Sequence, residues 1–224
     1  MPDNLSNHLS RHIVTTEDGS TSIEIPEMNE MYHSRKGART ESVHVYINHG
    51  LNLVGRGEVS LLEVGLGTGL NAILSFYRAQ KLGIKMDYVA LEPFPLNSSE
   101  VEVLNFDIGK EDHNWTKAIH NCSPDKWIQV NDSSRFLKHH ARLEDYQQDL
   151  QFDLIYFDAF APNKQASPWV KSNILKCYEI LKPNGILTTY CAQGQFKRNL
   201  AEAGFKVTNP EGPMGKREIT VAYK

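Results

Sequence analysis

A chain that runs an apolar strand straight into three alternate glycines and then into a helix has few folds open to it. Here the run is Leu61-Leu62-Glu63-Val64, the glycines are Gly65, Gly67 and Gly69, and Leu70-Asn71 opens the helix. Glycine at every second position lets the backbone turn sharply and lie against a ligand with no Cβ in the way, and the helix that follows offers unpaired N–H groups. Thr68, within the loop, adds a hydroxyl. A dinucleotide fingerprint needs its third glycine three residues after the second. That position is Leu70, and the third glycine arrives early at Gly69, so S-adenosylmethionine suits the spacing better than NAD.

Two acids sharpen this reading. Glu63, at the end of the first strand, can accept a hydrogen bond from the ammonium of the cosubstrate's amino-acid portion, where a pyrophosphate would be repelled. Glu92 ends the next apolar run, Met86-Asp87-Tyr88-Val89-Ala90-Leu91. It comes about twenty residues beyond the loop, where such folds place a carboxylate on the ribose hydroxyls.

At 224 residues and 40% hydrophobic content the chain suffices for one domain with a sizeable core. Cys122, Cys177 and Cys191 are far apart and show no paired metal spacing, which points to buried thiols in a reducing cytoplasm and to no metal. No apolar run approaches the roughly 20 residues that span a bilayer, and the start lacks a basic region followed by an apolar one, so neither membrane insertion nor secretion is expected. The formal net charge of −3 argues against non-specific coating of nucleic acid. Charge is nevertheless uneven: residues 163–224 hold ten Lys or Arg against four acids, which suits either a local basic rim or a solvated surface.

Two short β-rich runs flank Asp18-Gly19 over residues 13–25, a hairpin ahead of the main fold. A polar stretch from Tyr32 to Ser42 follows, rich enough in hydrogen-bonding groups to line a pocket, and then a helix to about Leu53. Beyond the glycine loop, strand and helix patterns alternate. Strands are expected at 127–130, 152–157, 185–190, 205–208 and 219–223, with helices near 97–106, 133–140, 170–181 and 195–203. The expectation is an α/β, Rossmann-like fold: a mainly parallel seven-stranded sheet, an antiparallel terminal strand and an N-terminal β-hairpin extension. Residues 1–58 form the extension and residues 59–224 one compact unit.

In an open α/β sheet ligands sit beyond the carboxyl ends of the strands. Asp132 follows the run at 127–130, where it can accept from an adenine amino group or merely cap the next helix. Asp158 stands at the tip of Phe152-Asp153-Leu154-Ile155-Tyr156-Phe157 and leads into the aromatic-proline loop Ala159-Phe160-Ala161-Pro162. It is the candidate catalytic carboxylate: aimed at the methyl side of a sulfonium, it can position an acceptor amine and take its proton. Phe157, Phe160 and Trp169 are either packing residues or, for one of them, a platform for a base. His33 and His44 are assigned no base role. Lys216-Arg217, in a glycine turn, suits a phosphate contact or a solvated hairpin equally.

Taken together these segments resemble the methyltransferase domain of the bacterial tRNA wobble-uridine modification enzyme MnmC, also found as the stand-alone MnmD. The resemblance rests on Asp18-Gly19-Ser20, Tyr32-His33-Ser34, Gly37-Ala38 and Glu41-Ser42, on residues 63–71, and on Glu92-Pro93-Phe94-Pro95-Leu96. Residues 158–164 and Gly215-Lys216-Arg217-Glu218 complete it. It implies methyl transfer from S-adenosylmethionine to the amine of 5-aminomethyl-2-thiouridine at the wobble position, on the tRNA anticodon stem-loop, after upstream wobble-uridine modification enzymes have acted. By the resemblance Tyr32, Ser34, Glu41, Glu63, Gly65, Gly67, Thr68, Gly69, Asn71, Glu92 and Asp132 lie around the cosubstrate. Asp158 meets the amine, Phe160 and Pro162 lie beside it, and Lys216 and Arg217 face the tRNA. The flavin-dependent oxidase domain of the bifunctional members has no counterpart in 224 residues, so no flavin is expected. Two other classes remain open: an aminopropyltransferase resembling spermidine synthase, which also joins an amine to a sulfonium donor, and a non-catalytic RNA-binding module.

Overall fold

The computed structural model describes residues 9–55, 57–106, 114–147, 149–215 and 218–224. The first elements, β1 (His12–Thr15), β2 (Thr21–Ile25) and β3 (Glu30–Met31), form an antiparallel three-stranded sheet. Asp18 shapes its hairpin: Oδ1 accepts from Thr16 Oγ1 at 2.8 Å and from Ser20 N at 3.1 Å, while Oδ2 accepts from Thr40 N at 3.0 Å. The hairpin turn is thereby tied to α1 (Ala38–Ser42), which continues as wider helical turns over Val43–Asn48.

The main body follows as β4 (Glu58–Val64), α2 (Leu70–Leu82), β5 (Lys85–Leu91), α3 (Ser98–Glu102) and α4 (Trp115–Asn121). Next come β6 (Ile128–Asn131), β7 (Ser134–His139), β8 (Phe152–Phe157) and α5 (Lys171–Ile180). The chain closes with β9 (Leu181–Thr189), α6 (Gly194–Glu202), β10 (Lys206–Thr208) and β11 (Thr220–Tyr223). The sheet order is β10-β11-β9-β8-β4-β5-β7-β6. The run β9-β8-β4-β5-β7 is parallel throughout, and β6, β11 and β10 pair antiparallel at the two edges. Chain order reverses at β4, which has β5 on one side and β8 on the other, and a crevice opens above that point.

Both faces of the sheet are covered, which is why its strands read as nearly continuous apolar runs. Leu61, Tyr88 and Leu154 pack on one side with Ile73 and Phe76 of α2 and Trp115 of α4. Their neighbours Leu62, Val89 and Ile155 pack on the other with Ile174 of α5 and Phe196 and Leu200 of α6. Among the described residues no helix is long and apolar enough to cross a membrane.

One expected element changes type, and the helix expected over 97–106 is confined to Ser98–Glu102. Residues 133–140 form strand β7 rather than a helix, in parallel register with β5 from Met86 opposite Ser134 to Leu91 opposite His139. The Asn131 side chain explains the misreading: its Oδ1 accepts from Ser133 N at 2.9 Å and Ser133 Oγ at 3.0 Å, closing a turn between β6 and β7. The same side-chain-to-backbone bond serves a helix cap or a hairpin turn. Buried Lys138 secures the strand, its Nζ donating to the carbonyls of Ile119 and His120 at the C-terminal end of α4. The sheet therefore has eight strands where seven were expected, and its third parallel strand ends at His139 rather than near Asn131.

Candidate active site

A cavity of about 510 Å³ opens at the carboxyl ends of β4, β5 and β8. Its floor is the glycine loop, lined by Gly65, Leu66, Gly67 and Thr68. Gly65 has φ +92°, and a Cβ there would stand 2.6 Å from the carbonyl oxygen of Asp158. Gly67 has φ +52°, and its Cβ would stand 2.8 Å from the Tyr32 ring. Glycine is required at both positions by handedness and by lack of room. The loop is stitched to β5, since Gly65 N donates to Leu91 O at 3.0 Å and Gly67 N to Glu92 Oε2 at 2.8 Å.

Glu92 takes a second hydrogen bond, from Phe94 N to Oε1 at 2.8 Å. Burial raises its pKa above the usual carboxylate value, outweighing the two N–H groups that favour the charge. The Phe94–Pro95 turn beyond it is held from the N-terminal sheet by Arg11. That guanidinium donates to Phe94 O at 2.7 Å and Pro95 O at 3.3 Å and pairs with Glu100 at 3.1 Å. Arg142, past the end of β7, stands over the Phe94 ring, 5.8 Å from its centroid.

At the opposite end of the cavity stands Asp158. Its Oδ1 accepts from the Tyr46 hydroxyl at 2.6 Å and its Oδ2 from Asn71 Nδ2 at 2.7 Å. Phe160 follows, its carbonyl held by Trp169 Nε1 at 2.7 Å and its ring edge-on to Tyr32 with centroids 5.1 Å apart. Tyr190 closes the corner, its hydroxyl donating to Ala159 O at 2.8 Å. Burial, and next the Asp158 charge, push both Tyr46 and Tyr190 well above the ordinary phenol value, so both are hydroxyl donors at any working pH. Ser34 and Glu41 complete the wall, joined by Ser34 N donating to Glu41 Oε2 at 2.8 Å.

Tyr32, Ser34, Glu41, Gly65, Gly67, Thr68, Glu92, Asp158 and Phe160, all picked out in the sequence, therefore meet around one cavity. Glu63 and Asn71 lie directly behind its wall. Glu63 is fully buried, with Oε1 accepting from Asn71 Nδ2 at 2.9 Å and Oε2 from Tyr88 at 2.8 Å, so it supports Asp158 through Asn71 instead of facing a ligand. Gly69 caps the start of α2 against Ile119 and His120, and Pro162 is half-buried away from the wall. Asp132 is misassigned: it sits in the turn between β6 and β7, beside Glu58, Lys85 and Arg135 at the amino ends of the parallel strands, on the far edge of the sheet. The mistaken helix at 133–140 put it at the wrong end, and Ala141 and Arg142, after β7, occupy the place it was given. Lys216 and Arg217 lie outside the described residues. Sequence reasoning missed Arg11, Tyr46, Arg142 and Tyr190, which reach the cavity through long-range contacts that no local spacing announces.

Among the described residues, six carboxylates (Glu30, Glu41, Glu92, Glu100, Glu144 and Asp158) face the cavity against two guanidinium groups, Arg11 and Arg142. Such a lining favours a cationic ligand. The buried Thr68 Oγ1 has no hydrogen-bond partner, and no side chain caps α2. The cradle thus offers donors at its floor, the Glu92 carboxylate just past the end of β5 and a volume within the range of small-molecule sites, a lining that fits S-adenosylmethionine.

Residues 115–224 match a family described as S-adenosyl-L-methionine-dependent methyltransferase. An uncharacterised protein of Methanocaldococcus jannaschii is 23% identical over 223 residues, spanning 95% of this chain and 59% of that protein. The tRNA 5-methylaminomethyl-2-thiouridine biosynthesis bifunctional protein MnmC of Cupriavidus necator is 27% identical over 216 residues, spanning 88% of this chain and 32% of that protein. The chain thus spans 59% of the first relative's length and about a third of the second's. Among solved structures, MNMC2 from Aquifex aeolicus superposes with a TM-score of 0.78 at 21% identity, over 99% of this chain and 71% of that one. Spermidine synthase from Thermotoga maritima shares the fold more distantly, with a TM-score of 0.57 at 13% identity over 98% and 70% of the two chains. The chain thus matches an S-adenosyl-L-methionine-dependent methyltransferase family over residues 115–224, is similar to the MnmC proteins over most of its length, and has the α/β fold of such methyltransferases.

Proposed function

We propose that this protein is an S-adenosylmethionine-dependent methyltransferase that acts on tRNA, moving a methyl group to the primary amine of wobble 5-aminomethyl-2-thiouridine to give 5-methylaminomethyl-2-thiouridine. One observation carries the reading: Asp158 presents a carboxylate to the cavity beside the aromatic pair Tyr32 and Phe160, next to the loop that fits the methyl donor. The relation to MnmC, whose name specifies the same nucleoside, supports it.

When bound, S-adenosylmethionine supplies an electrophilic methyl group on a sulfonium. Glu92 accepts from ribose hydroxyls, and the glycine loop and the start of α2 hold the amino-acid portion. Asp158 orients the acceptor amine and takes its proton at a carboxylate oxygen. Tyr32 and Phe160 flank the uracil and exclude water from that end. Upstream wobble-uridine enzymes deliver the aminomethyl group, and the reaction belongs to the cytoplasm, where the three free cysteines stay reduced.

Asp158→Asn tests the assignment. Transfer to tRNA bearing 5-aminomethyl-2-thiouridine should fall by at least about 10²-fold while the Kd for S-adenosylmethionine, measured by calorimetry, stays within about threefold. Loss of cosubstrate binding in step with activity would move Asp158 to a structural role.

A further inference from the structure

We infer that Tyr46, supplied by the segment ahead of the sheet, is a positioning residue for methyl transfer: with Asn71 it clamps the Asp158 carboxylate in one orientation from two sides. The inference rests on the amine-acceptor role proposed for Asp158. Three elements converge on the one group. Tyr46 comes from the turns Val43–Asn48, Asn71 from the first turn of α2, and Asp158 from the end of β8. The donors stand 2.6 Å from Oδ1 and 2.7 Å from Oδ2.

Both arms of the clamp are anchored in core. Tyr46 is 2% exposed, with its ring tilted against Tyr156 at 5.0 Å between centroids. Tyr156 in turn shares a hydrogen bond with Ser75 of α2 at 3.1 Å. The amide nitrogen of Asn71 spends one hydrogen on Asp158 and the other on Glu63, whose second oxygen is taken by Tyr88. A displaced carboxylate would therefore lose partners that cannot follow it. Other titratable groups face the same corner: Glu41 from α1, Glu30 from β3, Glu63 from β4 and Tyr190 after β9. Of the phenols there, Tyr190 directs its hydroxyl to the backbone of Ala159, Tyr88 to Glu63, and Tyr46 directs its own to Asp158.

The chemistry needs that fixed orientation. In the transfer, an N–H bond of the acceptor breaks and its proton passes to an Asp158 oxygen. A bond forms from nitrogen to the methyl carbon, and the bond from that carbon to sulfur breaks, its electron pair staying on sulfur. A donor on each oxygen favours the ionised carboxylate until the proton arrives and leaves the remaining lone pairs aimed at the amine. Alignment of this kind is lost steeply with displacement, about 10²-fold for 1 Å.

Tyr46→Phe keeps the ring that packs on Tyr156 and removes only the hydroxyl. With tRNA bearing 5-aminomethyl-2-thiouridine as acceptor, kcat should fall by about 10- to 100-fold, with the KM for S-adenosylmethionine unchanged within about twofold. The acid limb of the kcat profile should move to higher pH, because the lost donor no longer favours the ionised carboxylate. A wild-type kcat and an unmoved limb would overturn the clamp. So would a fall in kcat matched by weakened cosubstrate binding, which marks a packing role. The parent protein, run alongside, separates the two claims: an active parent charges any failure to the clamp alone, and an inactive parent refutes the functional reading and the clamp together.

Discussion

Gly65→Ala puts the geometry of the ligand loop to a quantitative test. The residue sits at φ +92°, and its new Cβ would meet the carbonyl oxygen of Asp158 at 2.6 Å and the carbonyl carbon at 3.1 Å. Left-handed backbone at a residue with a Cβ costs about 1–2 kcal/mol. The clash adds to it. It is with backbone, and that backbone is pinned by Asp158 N donating to Val64 O at 2.9 Å, so relief requires parting the ends of β4 and β8. Overpacking of this kind costs about 1–3 kcal/mol. A total of about 3 kcal/mol lowers Tm by about 6–12 °C for a chain of this size. The same shift drags Asp158, so the transfer rate should fall at least about tenfold. Gly83→Ala is the control: φ is +67° with nothing within 4 Å of the new Cβ, which leaves strain alone. It should cost about 1 kcal/mol, or about 2–4 °C, with transfer unchanged. Thermal melts by circular dichroism and initial rates read both effects. Equal losses in the two variants would refute the claim that close backbone approach is what demands glycine at residue 65.

Two further outcomes follow from the cavity. Burial, and next the Asp158 charge, hold the Glu63 carboxyl well above its ordinary value of 4.5. Above pH 4.5 the folded chain therefore keeps a proton that the unfolded chain has released, and this group's contribution to stability is lost as pH rises toward the folded value. Glu63→Gln should flatten the decline in urea midpoint as pH rises above about 5, and a slope as steep as the parent's would assign the effect to another group. Arg11→Ala releases the Phe94 and Pro95 carbonyls and Glu100 from one guanidinium. Calorimetry should show S-adenosylmethionine binding weakened by about three- to tenfold with kcat unaltered, and an unchanged Kd would detach the N-terminal sheet from cosubstrate binding.

The parts of this fold legible in the sequence were those fixed by local chemistry. Residues 61–71 state a strand, a tight loop and a helix in eleven letters, and Glu92 and Asp158 each close an apolar run, so their place at the carboxyl ends of strands follows from pattern alone. The Asp18-Gly19 hairpin is equally local. What failed was a choice between two uses of one hydrogen bond. Asn131 and Ser133 look alike as a cap and as a turn, and only the pairing of β7 with β5 decides between them. Asp132 was lost with that choice. Tyr46 and Arg11 were out of reach for another reason: Tyr46 meets Asp158 across 112 residues, and Arg11 meets Phe94 across 83. The burial of Glu63 is likewise a tertiary fact, made by Asn71 and Tyr88 closing over a carboxylate that the sequence places only at the end of a strand.

The central claim is the identity of the acceptor, and transfer of labelled methyl from S-adenosylmethionine to tRNA from cells lacking this gene tests it most directly. Nucleoside analysis of that tRNA should find the label in 5-methylaminomethyl-2-thiouridine. Label in any other nucleoside, or none at all from a protein that still binds S-adenosylmethionine, would contradict the account.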